Sequence, residues 1–180
     1  MTRQTEMLLP ILALVATAPQ VSAAVSVPEG YRQVAQVHGI PSTLFYAVAL
    51  AESGKRIDGL RTFRPWPWTL NVHGDGRFYP SRRAAIAALK EALGSGRSSV
   101  DIGLMQVNWR YHSAALGHAE GALDPYRNLN VGATILAACY QSRNDWWAAV
   151  GCYHAPNDAE RAMRYRQRVR GIWTSLTASG

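Results

Sequence analysis

One carboxylate in this 180-residue chain is set apart by its neighbours. Glu52 follows an unbroken apolar run, Leu44 to Ala51, within S-T-L-F-Y-A-V-A-L-A-E-S. Pro41 suits a first helical position, where its missing N–H has no partner anyway, and Gly54 supplies a helix stop. A helix without a solvated face belongs in the middle of a domain. The acid at its end then feels two effects of one sign. Burial disfavours the charged form, and so does the negative end of the helix dipole. A carboxylic acid kept protonated near neutral pH is what a general acid needs. Glu52 also fits a plainer reading, the first solvated residue after a core helix.

A second polar group lies in V-D-I-G-L-M-Q-V-N-W, residues 100–109, which is neither a good helix nor a clean strand. Gly103 permits a tight bend or a close approach of backbone to ligand. Gln106 and Asn108, two apart, point the same way in extended chain. Their amides suit sugar hydroxyls and acetamido groups, although an ordinary polar loop has the same composition. Asp101 adds a second acid. The two cysteines, Cys139 and Cys152, are thirteen residues apart. In an oxidising compartment they can join neighbouring helices, for about 3 kcal/mol in the chain-entropy model. His154 is near Cys152, but a zinc site needs more ligands than the sequence offers there. Neither a metal nor a cofactor is expected.

These residues need elements to position them. A short helix is predicted over 28–39, with Val34 and Val37 facing inward and Gly39 as its stop. The stretch 55–67 is polar and proline-broken, with Trp66 and Trp68 close together. Residues 69–72 and 77–79 flank His73-Gly74-Asp75-Gly76, and Asp-Gly between strand-like runs predicts a hairpin. Ser81 caps a helix to about Leu93, with Ile86, Leu89 and Leu93 as its stripe. The second half is mostly helical. Asp124-Pro125 starts a helix with an apolar run at 131–140, Asn144-Asp145 caps the next, and Asn157-Asp158 caps a last one towards Trp173. The fold class is mainly α (α+β), one helical domain over 24–180 with a small β-hairpin insertion.

The start of the chain reads differently. Arg3, an apolar run at 8–18 and Val21-Ser22-Ala23 form a signal-peptide pattern over 1–23, too short for a membrane span. The mature protein is therefore expected to be soluble and exported, with no membrane span. The formal net charge of +7 favours an anionic partner: nucleic acid, a membrane surface or an acidic polymer. Arg161, Arg164, Arg166, Arg168 and Arg170 supply much of it. They alternate too closely to share one helical face and read as a solvated terminal helix.

Four motifs in order resemble the soluble lytic transglycosylase domain. They are Ala51-Glu52-Ser53, Gly103-Leu104-Met105-Gln106-Val107-Asn108, Asn130-Val131-Gly132-Ala133 and Cys152-Tyr153-His154-Ala155. The chain is most similar to the small exported members that accompany secretion, conjugation and pilus machines. The resemblance implies a goose-type-lysozyme-like fold and cleavage of the β-1,4 bond between N-acetylmuramic acid and N-acetylglucosamine in peptidoglycan. It implies Glu52 as the acid that protonates the glycosidic oxygen and then, as base, lets the muramyl O6 close a 1,6-anhydro ring. Ser53, Met105, Gln106, Asn108 and Tyr153 would surround the scissile sugars, with the Tyr153 hydroxyl near Glu52. The partners it implies are glycan strands and envelope machine components, and the location is the periplasm. His154 and Pro156 depart from the family's usual asparagine and glycine. Asp101 is open to two roles, stabilising an oxocarbenium-like transition state as in two-carboxylate lysozymes, or capping the loop. The alternatives are a muramidase-type hydrolase using Glu52 and Asp101, and a non-catalytic cell-wall or nucleic-acid-binding module. The export signal argues against nucleic acid.

Overall fold

The computed structural model describes residues 26–57 and 62–178, so the expected leader lies outside the described residues. In chain order come α1 (Glu29–Val37), α2 (Ser42–Ser53), β1 (Gly54–Ile57), β2 (Thr62–Pro65), β3 (Thr69–Val72), β4 (Asp75–Phe78) and α3 (Arg82–Gly94). They are followed by β5 (Val100–Ile102), β6 (Val107–Asn108), α4 (Trp109–Leu116), α5 (Ala119–Ala122), α6 (Pro125–Arg143), α7 (Trp146–His154) and α8 (Ala159–Ala178). The fold is mainly α and lysozyme-like, with a small antiparallel sheet.

Helix α2 is the axle of this arrangement. Leu44 to Ala51 are all buried, and the helix packs against α1, α8 and β2. Pro41 sits one position earlier than expected, as the N-cap. Gly54 closes the helix with φ −59° rather than a left-handed turn. Its glycine has another cause: an added Cβ would lie 2.2 Å from the Phe63 ring and 2.4 Å from the Leu50 carbonyl. In α1, Val34 is buried as expected, but Val37, the last residue of the helix, is 78% exposed.

The β part is larger than one hairpin. The polar stretch 55–67, expected to be irregular, contributes the antiparallel pair β1–β2. The second sheet has the order β4-β3-β5-β6, antiparallel throughout. Its first turn is made by His73 and Gly74, both at positive φ (53° and 92°), not by Asp75-Gly76. That is the left-handed pair a two-residue hairpin wants. Strands β5 and β6 come from residues 100–109, and in register Asp101 faces Asn71 on one side and Asn108 on the other.

Side-chain caps start the helices as the sequence suggests. Ser81, Asp124, Asp145 and Asp158 each accept a hydrogen bond from a backbone N–H of the first turn. In α3, Leu89 is buried with Ala85 and Ala92, while Ile86 and Leu93 are half-buried against the core. Cys139 of α6 and Cys152 of α7 form a disulfide, with their Cα atoms 5.9 Å apart. Among the described residues no single helix is long and apolar enough to cross a membrane.

Candidate active site

Glu52 is the last-but-one residue of α2, and its side chain is 11% exposed. The end of the core helix thus delivers one acid to the edge of the buried interior. Burial pushes its pKa up to about 7. A hydrogen bond from the Tyr165 hydroxyl to Oε1 opposes that rise, the charge of Asp101 adds to it, and Arg168 weakly opposes it. With Oε1 engaged by Tyr165, Oε2 is left to carry the acid proton. Tyr165 itself is buried, and burial together with the Glu52 charge keeps its hydroxyl protonated. His154 stacks on the Tyr165 ring, centroids 4.2 Å apart, and its Nδ1 lies 3.9 Å from Glu52 Oε1. Burial, then Arg161 and Arg168, lower the His154 pKa. The imidazole is therefore neutral at pH 7, and the contact is not an ion pair.

The loop between β5 and β6 is fastened to the end of α2. The Ser53 hydroxyl is buried and is placed to donate to the Ala49 and Leu104 carbonyls, at 3.2 and 2.8 Å. It positions the loop and is not free to meet a sugar. Met105 is fully buried. Its N–H donates to Asn128 Oδ1 at 2.9 Å, and its carbonyl accepts from the Tyr153 hydroxyl at 2.6 Å. Tyr153 therefore holds the loop, and the expected contact of its hydroxyl with Glu52 is made by Tyr165 instead. Gln106 stands at φ 45°, outside extended chain, so it does not pair with Asn108 on one strand face. Its amide donates to the Gly103 and Thr69 carbonyls at 2.9 and 3.3 Å. Asn108 donates to Asp101 Oδ1 at 2.7 Å and accepts from the Arg110 N–H, capping α4. Asp101 is half-buried, and burial raises its pKa against the Asn108 bond.

Three residues of the candidate site had no role assigned from the sequence. Asn128, 1% exposed, also donates to the Ile102 and Ala122 carbonyls and so clamps the loop from α6. Gly103 leaves room for it: an added Cβ would fall 2.7 Å from the Asn128 amide, and φ is +75°. Tyr165 was hidden in an arginine-rich helix, and His154 stood out only beside Cys152 and as a departure from the family's usual asparagine. The arginines split three ways. Arg161, Arg164 and Arg168, at helical spacing, line a hollow with His154 and Tyr165. Arg166 lines a separate groove, and Arg170 lies 4.7 Å over the Trp147 ring. Among the described residues there is no group of three or more His, Cys, Asp or Glu able to hold a metal ion.

The model of the transglycosylase SLT domain matches residues 82–174, just over half of the chain. The chain belongs to the transglycosylase SLT domain family. Protein virB1 of Agrobacterium fabrum is 32% identical over 104 residues, which are 58% of this chain and 38% of that protein. The match therefore spans well under half of that relative's length. No solved structure matches. Glu52 and Ser53 lie ahead of the matched SLT segment. They reach it through the packing of α2 on α8 and through the bonds of Ser53 to Leu104 and of Tyr165 to Glu52.

Proposed function

We propose that this SLT domain is a peptidoglycan lytic transglycosylase with Glu52 as its single acid/base. The observation that carries the reading is an acid at the mouth of a buried helix, held protonable to about pH 7 and oriented by Tyr165. Glu52 Oε2 would give its proton to the oxygen between N-acetylmuramic acid and N-acetylglucosamine as that bond breaks. The carboxylate left behind would take the proton of the muramyl O6 hydroxyl as O6 bonds to the anomeric carbon. The acid is reprotonated within one turnover, and the product is a 1,6-anhydromuramyl end. An internal nucleophile already oriented by the ring has a large effective-molarity advantage over water. Family membership and the resemblance of the motifs support export to the periplasm and service to an envelope machine of the secretion, conjugation or pilus kind.

Mass spectrometry of muropeptides released from purified peptidoglycan tests this. Glu52→Gln keeps the shape without the transferable proton and is expected to lose at least about 10²–10⁴-fold in rate. The hydrolase reading has one observation in its favour: Asp101 is near enough for its charge to raise the Glu52 pKa. Its Oδ1, however, already accepts from Asn108. Asp101→Asn is thus expected to slow the reaction less than Glu52→Gln and to leave the anhydro product unchanged. Reducing-end products that vanish in Asp101→Asn would establish the two-carboxylate hydrolase instead. A pure wall-binding module would have no use for a buried acid of this kind, and full activity of Glu52→Gln would leave Glu52 without its role.

A further inference from the structure

The hollow beside Glu52 is not explained by acid/base chemistry. It is lined by His154, Arg161, Arg164, Tyr165 and Arg168, with a volume of about 240 Å³. That is below the roughly 300–1,000 Å³ of pockets that enclose a whole small ligand. It suits a group projecting from a larger molecule. Its two walls differ. Tyr165 is buried and its hydroxyl is committed to Glu52, so the hollow shares a wall with the acid. The three arginines are exposed and turn their cationic side to the same opening. Arg164 is paired with Glu160. Among the described residues, Arg161 and Arg168 have no carboxylate partner within ion-pair distance, and both depress the ionisation of His154. This is a positive field with unspent donors, next to the bond-breaking site.

We propose that this hollow is a carboxylate subsite that holds the acidic substituent of the muramyl unit while Glu52 acts on its glycosidic bond. The inference rests on the peptidoglycan reading above and deepens it. Guanidinium groups pair with carboxylates through two parallel hydrogen bonds, which fixes orientation as well as adding affinity. Two sources supply such a carboxylate: the stem peptide, and the lactyl group once the peptide is removed. A neutral polysaccharide supplies neither.

The experiment uses the mature chain and three soluble glycan substrates. One carries native stem peptides, one has all its carboxylates converted to amides, and one is stripped of peptides so that only lactyl carboxylates remain. For wild type, KM on the native strands is expected to be about tenfold or more below that on the amidated strands, with kcat little changed, as removal of a charged hydrogen bond implies. The double variant Arg161→Gln/Arg168→Gln, which removes the two guanidinium groups without a carboxylate partner and leaves Tyr165 and His154 in place, is expected to erase most of that difference. Arg170→Gln, on the Trp147 side of the same helix, is expected to keep it. In native strands the lactyl carboxyl is amide-linked to the peptide, so native strands bound more tightly than amidated ones assign the stem peptide, and stripped strands bound more tightly than amidated ones assign the freed lactyl carboxylate as well. Equal KM for native, stripped and amidated strands, or a difference that survives in the double variant, overturns the subsite while leaving the enzyme assignment intact. Wild type that cleaves no strand overturns both.

Discussion

At the scale of single residues, the chemistry turns on what surrounds one proton. Glu52 is raised to about 7 mainly by burial, and the Tyr165 hydrogen bond pulls it the other way. In the proposed mechanism the working form is the protonated acid, so kcat/KM is expected to fall as pH rises through about 7, the limb reporting the free enzyme's acid. Tyr165→Phe removes the bond that favours the carboxylate. The folded pKa then climbs further, and the alkaline limb is expected to move to higher pH while the maximal rate drops, because Oε1 loses its orienting partner. A pH profile of the two proteins on one substrate checks this. An unmoved limb, or one displaced to lower pH, would show that Tyr165 does not set the ionisation of Glu52. The acid itself was legible from the apolar run before it. Tyr165 was not, because a tyrosine among arginines carries no local mark of what it faces once α8 folds over α2.

At the scale of elements, the site is a helix end fastened to a turn. Ser53 reaches Leu104, Tyr153 reaches Met105, and Asn128 reaches Ile102 and Met105. The α6 backbone comes close because Gly132 has no Cβ, which would fall 2.6 Å from the Met105 side chain. The bounds of α2 could be read from the sequence, since an apolar run between Pro41 and Gly54 leaves little choice. The turn at 103–106 could be located by its glycine but not interpreted. Its residues look like sugar ligands, yet their polar groups are engaged largely by Ser53, Thr69, Asn128 and Tyr153, and only the long-range packing of α2, β3, α6 and α7 around the turn decides that. Asn128→Ala is therefore expected to unfasten the turn. It leaves the Met105 N–H and the Ile102 carbonyl short of partners in the interior, which costs about 1–3 kcal/mol per unsatisfied group. Chemical denaturation should show a lower midpoint, and activity should fall more than the small fraction unfolded explains. Full activity with an unchanged midpoint would mean that Ser53 and Tyr153 suffice to hold the turn.

At the scale of the whole molecule, the acid arrives from the first half of the chain and its surroundings from the second, where Tyr153 and His154 ride on α7, and Tyr165 and Arg168 on α8. The angle between α6 and α7 is thus part of the site's construction, and the Cys139–Cys152 bond ties those two helices. The pairing was legible from two cysteines in a chain expected to be exported, since an oxidising compartment favours one bond over two thiols. The placement of the arginines was not, because helical spacing sorts five close cations into separate stripes only after the helix has packed. Closing a loop of this length contributes about 3 kcal/mol through the unfolded chain. In a domain of this size that corresponds to roughly 6–12 °C of melting temperature. Cys139→Ala/Cys152→Ala, compared with wild type by thermal denaturation with and without reductant, is expected to melt lower by that amount. Reductant should lower wild type towards the variant and leave the variant itself unmoved. Neither sulfur touches Glu52, so activity well below the transition should be retained. A variant that melts with wild type would show that the packing of α6 on α7 holds Tyr153 and His154 in place without the bond. A variant that keeps its fold but loses activity in the cold would show instead that the bond sets the position of α7 beneath Glu52.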